Sequence, residues 1–459
     1  MSTLFWFRRD LRVFGNEALI AAVENGARDA LFLVCEQQWQ AHNAAPVQVD
    51  LLKRRVNWLG HTLAKLGVRL HVIDAGDFTQ VPSLMSQFCQ ANGVVQVYAN
   101  REYEVNEQGR DNACQQAGVK LQLFDGDLIA PPGSVTTASN EMYKVFTPFK
   151  KAWLKQYEQQ HFYLPGWPEI DVAPFEWETP ELLIGEGISD KWPVDDETLV
   201  KVVQAFIQEK MVDYKANRDF PGVKGTSGLS PYLALGIVSV KQLLAESQLH
   251  FPDLFLMTSA PAFSWVNELI WREFYRHLIC AYPKLCKGVN FNEKYNHVDW
   301  RQDDAQFTAW CEGNTGYPIV DAAMRQLNQT GWMHNRLRMI VASFLTKHLL
   351  IDWRKGEHYF MSKLIDGDLA SNNGGWQWAA STGCDAQPYF RIFNPISQSE
   401  KFDPQGDFIR KFVPELNDVP AKSIHFPHEY LRAFGISGYM NPIVEHKAAR
   451  ERALAAFKV

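Results

Sequence analysis

The first 125 residues of this 459-residue chain alternate short apolar runs with helical patterns. Five runs have the length and composition of buried strands: Leu4–Phe7, Ala30–Cys35, Arg69–Ile73, Val94–Ala99 and Val119–Phe124. Apolar residues from Val49 to Leu66 recur at alternating spacings of three and four, which predicts an amphipathic helix. Alternation of this kind is typical of a parallel sheet with helices on both faces. We therefore predict a doubly wound α/β domain over residues 1–129.

The later part of the chain has a different pattern. Residues 130–196 include the Pro-rich, aperiodic stretch LPGWPEIDVAPFEWETPE, which predicts an interdomain linker. From about Glu197 onward the pattern is helical, so we predict a larger all-helical domain over residues 197–459. Within it, Pro318 and Gly331 delimit a helix over Pro318–Leu327, and Met333–Leu350 has the apolar spacing of another.

Bulk composition excludes several classes of protein. With 46% hydrophobic and 21% charged residues, the chain is expected to be globular, and no run of eighteen apolar residues predicts a membrane span. The N-terminal residues lack the apolar stretch of a signal peptide, and seven scattered Cys without a Cys-x-x-Cys pair indicate a reducing, cytoplasmic compartment. Cys280 and Cys286 lack two further ligands at zinc spacing, so we expect no metal site. A net charge of −6 means that any DNA contact must come from a local basic patch.

The stretch DGDLASNNGGWQWAAS, residues 366–381, is unusual in combining paired carboxylates, Asn and Gly with two Trp. Gly-Gly disfavours a helix interior, and Asn, Asp and Gly disfavour a strand, so we predict an irregular, flexible segment. It is either a turn whose Trp residues fill a core or a ligand site where flat rings stack.

Two helical segments place an acid or amide, a guanidinium and a large apolar side chain on one face, at positions i, i+3 and i+4. The first set is Glu268, Trp271 and Arg272; the second is Asn335, Arg338 and Met339. The first is either a surface face with an ion pair beside a half-buried Trp or a binding site. The second is either a site or a helix with one buried Asn satisfied by its neighbours. We expect His334 to be structural.

Two further segments could meet phosphate. Residues 225–230, GTSGLS, form a hydroxyl-rich turn ahead of a helix, which suits a phosphate but is also typical of an ordinary N-cap. Lysines and aromatic residues interleave in MYKVFTPFKKAWLK, residues 142–155, which either follows a nucleic-acid backbone or is a solvated amphipathic helix. Fifteen Trp is a high count, and most buried Trp serve packing, although aromatic ligands and one-electron chemistry also recruit them.

Several motifs together resemble the photolyase/cryptochrome family. They are FWFRRDLR (5–12), GTSGLSPYLALG (225–236), NELIWREFYRHL (267–278), TGYPIVDAAMRQL (315–327), GWMHNRLRM (331–339), LLIDWR (349–354), DGDLASNNGGWQWAAS (366–381) and YFRIFNP (389–395). The resemblance spans essentially the whole chain and is closest to bacterial class I cyclobutane pyrimidine dimer photolyases with a folate antenna.

The resemblance implies FAD bound in a folded shape in the helical domain. The residues that match the family's FAD motif are Tyr214, Thr226, Ser227, Leu229, Ser230, Asn335, Arg338, Asp366, Asp368 and Asn372. The paired charges of Arg338 and Asp366 would set the electrostatic field at the flavin ring, and Asn372 would face the flavin N5. A neutral amide there does not repel an anionic reduced flavin, whereas plant cryptochromes carry an acid.

The resemblance also implies a reaction on damaged DNA. Light-excited reduced flavin donates an electron to a flipped-out pyrimidine dimer, the cyclobutane ring splits, and the electron returns. The residues implied to contact the dimer are Glu268, Asn335, Met339, Trp271 and Trp378. Those implied to meet the DNA are Arg218, Trp271, Arg272, Arg336, Trp378 and Arg391. Trp376, Trp353 and Trp300 match the family's electron-hopping chain from the flavin to the surface.

An antenna chromophore, 5,10-methenyltetrahydrofolate, is implied as well. The matching residues are His42, Asn106, Glu107, Cys286 and Lys287. One departure concerns Gly228, which stands where the family often has Arg, and this puts one phosphate or DNA contact near Ser227 in question.

Competing functions within and outside the family give different expectations. A cryptochrome would signal and repair nothing, but the chain ends soon after Pro442 without a long tail, and Asn372 favours repair. A (6-4) photolyase would carry a second His at position 335. This chain has Asn335 there, so we reject that function. A flavin-free structural protein would show no flavin absorption. We expect a monomeric, cytoplasmic repair enzyme.

Overall fold

The computed structural model of the chain describes residues 2–159 and 164–459. Residues 160–163, which fall within the predicted linker, and Met1 lie outside the described residues. The chain divides into two compact units. Unit 1 comprises Met1–Val212, Ser227–Cys286 and Ile365–Ala370; unit 2 comprises Asp213–Thr226, Lys287–Leu364 and Ser371–Val459. These units interleave along the chain, and the predicted boundaries at residues 129 and 196 stay a prediction.

A five-stranded parallel sheet organises the first part of unit 1. The strands are β1 (Ser2–Phe7), β2 (Asp29–Val34), β3 (Arg69–Asp74), β4 (Val94–Asn100) and β5 (Leu121–Phe124). Their order is β3-β2-β1-β4-β5, so the order reverses at the central strand, where Leu4 pairs with Asp29 on one side and Val97 on the other. Every position of β1 except the first is buried, as expected of a strand covered on both faces, and the predicted sheet is confirmed.

Helices connect the strands of this sheet. They are α1 (Glu17–Glu24), α2 (Glu36–Ala41), α3 (Pro46–Lys65), α4 (Val81–Ala91) and α5 (Val105–Gln116). The longest, α3, starts with Pro46 at a favourable first position and buries Val56, Leu59 and Leu63, as the apolar spacing predicts.

The chain from Asp196 onward is mainly helical, as predicted, and one further long helix, Phe146–Gln159, lies within the predicted linker. The helices are α6 (Phe146–Gln159), α7 (Asp196–Glu209), α8 (Tyr214–Asn217), α9 (Ser230–Ala234), α10 (Val240–His250), α11 (Phe263–Ala281), α12 (Asp304–Glu312), α13 (Pro318–Thr330), α14 (Asn335–Ser343), α15 (Trp353–Met361), α16 (Leu369–Ala380), α17 (Pro395–Phe402), α18 (Asp407–Phe412), α19 (Ala421–Ile424), α20 (His428–Ala433) and α21 (His446–Ala456). Short 3-10 helices cover Glu181–Leu183, Met211–Asp213, Pro283–Lys287, Glu293–His297 and Pro414–Leu416.

Both helices predicted in the middle of unit 2 are present. Helix α13 opens with Pro318 and stops at Gly331, whose φ of 69° favours glycine. The helix predicted over Met333–Leu350 begins two residues later, at Asn335, because His334 is its N-cap and its ring accepts a hydrogen bond from the Arg336 N–H. After α14, the segment Phe344–His348 continues as a π-helix.

One prediction about secondary structure is wrong. The composition of residues 366–381 predicts an irregular segment, but Leu369–Ala380 form helix α16, with Gly374 and Gly375 in its interior. Each Gly costs about 1 kcal/mol relative to Ala in a helix interior. Burial of apolar side chains of α16, above all the Trp376 indole, outweighs that cost.

Candidate functional site

Helix α11 of unit 1 carries the first predicted side-chain set. The Trp271 ring stacks on the Phe146 ring, with centroids 3.7 Å apart and planes 6° from parallel. Glu268 and Trp271 are half-buried. Arg272 donates to Asp127, with 2.5 Å between Nη2 and Oδ1. The ion pair beside a half-buried Trp is therefore present, and Phe146 fixes the plane of the indole.

A second arginine of α11, which sequence reasoning missed, joins the same charge network. Arg276 donates from Nε to Asp127 (2.6 Å) and from Nη2 to Asp368 (2.7 Å). Burial alone would raise the pKa of Asp127, but the guanidinium groups of Arg272 and Arg276 outweigh burial and hold that pKa below its usual value. The sequence signal that could have identified Arg276 is its spacing, because Glu268, Arg272 and Arg276 recur every four residues on one helix face.

Helix α14 of unit 2 carries the second set. Asn335 is exposed, so the alternative of a buried, self-satisfied Asn is wrong. Its Nδ2 lies 4.0 Å from the Met339 sulfur, which places both side chains on one face. Arg338 lies one turn along and donates from Nε to the Met333 carbonyl at 2.8 Å. This helix presents an amide, a thioether and a guanidinium together.

Two residues next to that face have structural partners. His334 caps α14, as a structural histidine does, and burial lowers its pKa to about 4. Arg336 pairs with Asp219, at 2.9 Å, and lies over the Phe402 ring, at 4.4 Å. Its guanidinium is thus held in place and partly exposed.

The hydroxyl-rich turn does not form the ordinary N-cap. Helix α9 starts at Ser230, and its N-cap residue Leu229 makes no side-chain cap hydrogen bond. Instead the Ser227 hydroxyl accepts from the Leu229 N–H at 3.3 Å, and Ser230 is exposed. Gly228 has a φ of 67°, so an Arg at this position would be strained even though the space around it is open.

Helix α16 and its neighbour α15 hold two amides of the Asn-rich motif in unit 2. Asn372 donates from Nδ2 to the Glu357 carbonyl oxygen at 3.0 Å, which assigns Oδ1 as the acceptor end of this amide. Asn373 donates to the Glu357 carboxylate at 2.9 Å. Burial raises the pKa of Glu357 to about 7, and the Asn373 hydrogen bond only partly offsets it.

Three indoles predicted to relay electrons belong to one hydrophobic cluster of unit 2. Trp353 and Trp376 are 0% and 2% exposed, and Trp300 is partly buried against the same cluster. Trp376 approaches α15 closely, because a Cβ on Gly356 would overlap its ring. Its buried indole N–H has no hydrogen-bond partner among the described residues. Trp378, which is half-buried, packs near Phe393.

The remaining predicted residues are placed as follows. Tyr214 lies under the Arg218 guanidinium, 5.4 Å from it, and Arg391 is exposed. Thr226 is half-buried, and Asp366 and Asp368 are both buried. The pairing of Arg338 with Asp366 stays a prediction.

A cavity lies at the carboxyl edge of the sheet in unit 1, beside β1 and β2. Its empty volume is about 690 Å³, which includes open solvent. Of the predicted antenna residues, His42 and Glu107 line it. Asn106 and Gln38 both donate to His42 Nε2, at 2.9 and 2.8 Å, so the ring proton sits on Nδ1, 3.6 Å from Glu107. Cys286 and Lys287 end the 3-10 helix Pro283–Lys287 and do not line this cavity.

Glu107 gives the cavity a buried acceptor that a ligand could use. Burial raises its pKa to about 7, and neighbouring Glu104 and Glu102 add to the effect. Its Oε2 is buried and has no hydrogen-bond partner among the described residues. A ligand bearing N–H donors would satisfy that oxygen.

Part of the cavity wall is a charge network that the sequence did not reveal. Arg8 and Arg110 lie 4.9 and 4.7 Å from the Trp6 ring centroid. Asp111 accepts from Arg8 Nη1 at 2.7 and 2.6 Å and from Arg110 Nη2 at 2.7 Å. All four side chains are nearly inaccessible to solvent, so the pocket wall is held by buried ion pairs.

Other site types find no support within residues 2–159 and 164–459. No group of three or more His, Cys, Asp or Glu is arranged to hold a metal ion there. No helix in the same ranges is long and apolar enough to cross a membrane.

Comparison with known proteins decides the family. Residues 3–169 match a family model described as DNA photolyase, and residues 265–459 match one described as the FAD binding domain of DNA photolyase. The chain belongs to the DNA photolyase family. The predicted family, the class of light-driven DNA repair enzyme and FAD as its cofactor are confirmed.

Relatives cover the chain end to end. The deoxyribodipyrimidine photo-lyases of Vibrio cholerae and Escherichia coli are 49% and 47% identical to this chain. Both alignments cover 99% of this chain, and they cover 99% and 98% of the two relatives. A class III photolyase from Agrobacterium tumefaciens has a TM-score of 0.85 at 36% identity, covering 99% of this chain and 97% of that one. A Synechocystis cryptochrome reaches the same TM-score at 28% identity, covering 99% of both chains. The confirmed fold is therefore shared by both branches, and sequence identity favours the photo-lyases.

Proposed function

We propose that this protein is a deoxyribodipyrimidine photo-lyase that repairs cyclobutane pyrimidine dimers in DNA under light. The observation that carries this proposal is 49% and 47% identity, over the full chain, to two proteins of that name. Bound reduced FAD supplies, on excitation, the electron that splits the cyclobutane ring. The protein binds and orients the dimer, and its side chains hold FAD and set the polarity around it.

We propose that FAD is held by the residues that match the family motif. They are Tyr214, Thr226, Ser227, Leu229, Ser230, Asn335, Arg338, Asp366, Asp368 and Asn372. Two observations fit this assignment. The hydroxyls of Ser227 and Ser230 do not cap α9, and the Asn372 amide is oriented with Oδ1 as acceptor.

Dimer recognition is assigned to two aromatic platforms and two polar side chains. The Trp271 ring is oriented by stacking on Phe146, and stacking of a base on the indole would stabilise the complex by ~1–3 kcal/mol. Trp378 supplies the second platform. Glu268 and Asn335 accept and donate hydrogen bonds at the base edges, and Met339 packs beside Asn335.

The backbone of the DNA meets a local set of arginines. Arg218, Arg336 and Arg391 are assigned to phosphates, which supplies the positive patch that a net charge of −6 demands. Arg272 and Arg336 are assigned weaker parts, because Asp127 and Asp219 already neutralise them. The main contribution of Arg272 is to hold α11 in position.

The electron relay and the antenna complete the proposal. Trp376, Trp353 and Trp300 pass one electron inward to the oxidised cofactor, from partly exposed Trp300 to the two buried indoles. The antenna 5,10-methenyltetrahydrofolate is assigned to the sheet-edge cavity with His42, Asn106 and Glu107, and Cys286 and Lys287 follow from the family motif alone. We further propose that residues 1–129, 130–196 and 197–459 act as antenna domain, linker and catalytic domain, and that the protein works as a monomer in the cytoplasm.

Dark binding and a point variant test the assignment of the dimer site. The protein should bind an oligonucleotide with one thymine dimer more tightly than the same strand undamaged. Glu268→Ala should lower the repair yield while FAD stays bound, and Glu268→Gln should retain part of it. Equal binding of damaged and undamaged DNA would contradict the proposed function, and an unchanged yield in Glu268→Ala would remove Glu268 from the site.

A further inference from the structure

The middle indole of the proposed relay has one specific polar partner. Trp353 is fully buried, and its Nε1–H donates to the Asn290 Oδ1 at 2.9 Å. Asn290 is itself 3% exposed, and its Nδ2 donates to the Asn296 Oδ1 at 2.9 Å. The amide is thereby fixed with its oxygen toward the indole.

A guanidinium shares that oxygen. Arg354 donates from Nη2 to Asn290 Oδ1 at 3.3 Å and from Nε to the Gly288 carbonyl at 2.6 Å. Its Nη1 lies 3.0 Å from both oxygens of Asp352, so the nearest carboxylate in sequence is already paired. In the described part of the chain, neither a carboxylate nor an imidazole accepts from the Trp353 N–H.

The type of acceptor matters when the indole loses an electron. An oxidised indole is a far stronger acid at its N–H than a neutral one, and a base in contact would take the proton. A neutral amide oxygen that already accepts two N–H donors cannot do so, and an arginine cannot be deprotonated. The hydrogen bond instead becomes charge-assisted and stronger, which offsets repulsion of the positive indole by the Arg354 guanidinium, 4.8 Å from the Trp353 ring centroid.

We propose that Asn290 is a positioning residue of the electron relay, which stabilises oxidised Trp353 while keeping its N–H proton in place. This inference rests on the proposed function. One electron leaves Trp353 to refill Trp376, whose own electron has gone to light-excited oxidised FAD. One electron from Trp300 then restores neutral Trp353 with its original proton. Trp300, which is partly exposed, releases its proton to water, and an added thiol later returns the electron and proton.

Matched variants at position 290 separate the two parts of this role. Asn290→Asp keeps the shape but supplies a base, and Asn290→Leu keeps the branching at Cγ but removes the acceptor. In flash absorption of the FAD-loaded protein, the wild type should show a protonated indole radical until Trp300 is reached. Asn290→Asp should show a deprotonated radical at once, and adding Trp300→Phe should not change that signal. Asn290→Leu should lower the population of oxidised Trp353 relative to oxidised Trp376 about tenfold, the difference between a charged and a neutral hydrogen bond.

A second readout needs neither light nor flavin. The indole N–H resonance of Trp353, assigned with Trp353→Phe, should move upfield in Asn290→Leu and stay downfield in Asn290→Asp. An unmoved resonance in Asn290→Leu, or wild-type radical kinetics in Asn290→Asp, would overturn the role of Asn290 alone. Absence of any indole radical in the FAD-loaded wild type would instead overturn the relay, and this inference with it.

Discussion

At the sheet edge of unit 1, the guanidinium groups of Arg8 and Arg110 lie 4.9 and 4.7 Å from the Trp6 ring centroid, and carboxylates neutralise both of them. In the core of unit 2, Trp376 lies against Gly356 and other aromatic rings, and Trp353 has one amide partner at its N–H. The same side chain thus serves a charge network in one region and an apolar cluster in the other. Removing a charge should threaten stability in the first region, and removing an indole should threaten function in the second.

The largest expected effect is on flavin photoreduction. Trp353→Phe should nearly abolish photoreduction of the oxidised cofactor, because the relay loses its middle indole, and should leave repair by chemically reduced protein intact. Flash photoreduction and single-turnover repair measure the two properties. Trp192→Phe, which changes an indole of unit 1, serves as the control, and a loss of repair together with photoreduction in Trp353→Phe would count against the relay.

The next effect concerns the sheet-edge charges. Asp111→Asn should lower the free energy of unfolding by about 3–5 kcal/mol, because two buried guanidinium groups lose one carboxylate partner and keep only Glu102. Lys201→Ala, which breaks the exposed pair with Glu197, should cost far less in the same urea titration, because solvent screens that pair. Equal costs for the two variants would mean that the network does not support this edge.

Acid sensitivity should distinguish a buried from an exposed histidine in unit 2. The pKa of His334 is lowered by burial to about 4 from 6.5, so the unfolded chain binds a proton first and stability falls as pH drops from 6.5 toward 4. His334→Asn keeps an N-cap. It should reduce the fall in the free energy of unfolding between pH 6.5 and 4 by about 3 kcal/mol. Urea unfolding at several pH values measures it. Exposed His358→Asn is the control, and an equal flattening of the pH dependence by both variants would contradict the assignment.

The smallest effect is at the aromatic platform of unit 2. Trp378→Ala should weaken dark binding of dimer-containing DNA by ~1–3 kcal/mol, because one stacking surface is lost. Trp378→Phe should lose less. Fluorescence anisotropy with damaged and undamaged strands measures both, and an equal loss on undamaged DNA would show that Trp378 does not contact the flipped dimer.

Sequence patterns predicted the elements that depend on local periodicity. The ends of the five strands agree within two residues, and α13 starts at Pro318 as expected. Helix α16 was missed, because its two glycines are a local cost that burial of Trp376 and its neighbours offsets. Tertiary packing decided that segment, and no local signal carries it.

Site residues also divide into those that local spacing predicts and those that only the fold brings together. Face-sharing sets such as Asn335 and Met339 follow from helical spacing alone. Arg276 has two partners, Asp127 and Asp368, which lie 149 and 92 residues away in the sequence. Only the fold brings them together. The same is true of Asn290 and Trp353, which are 63 residues apart.

Repair in light and in darkness is the most direct test of the proposed function. A single-stranded oligonucleotide with one thymine cyclobutane dimer is mixed with anaerobically reduced protein, and recovery of thymine absorbance is followed. The account predicts recovery under blue light and none in darkness. No recovery under light, with FAD bound and reduced, would contradict it and would favour a photoreceptor.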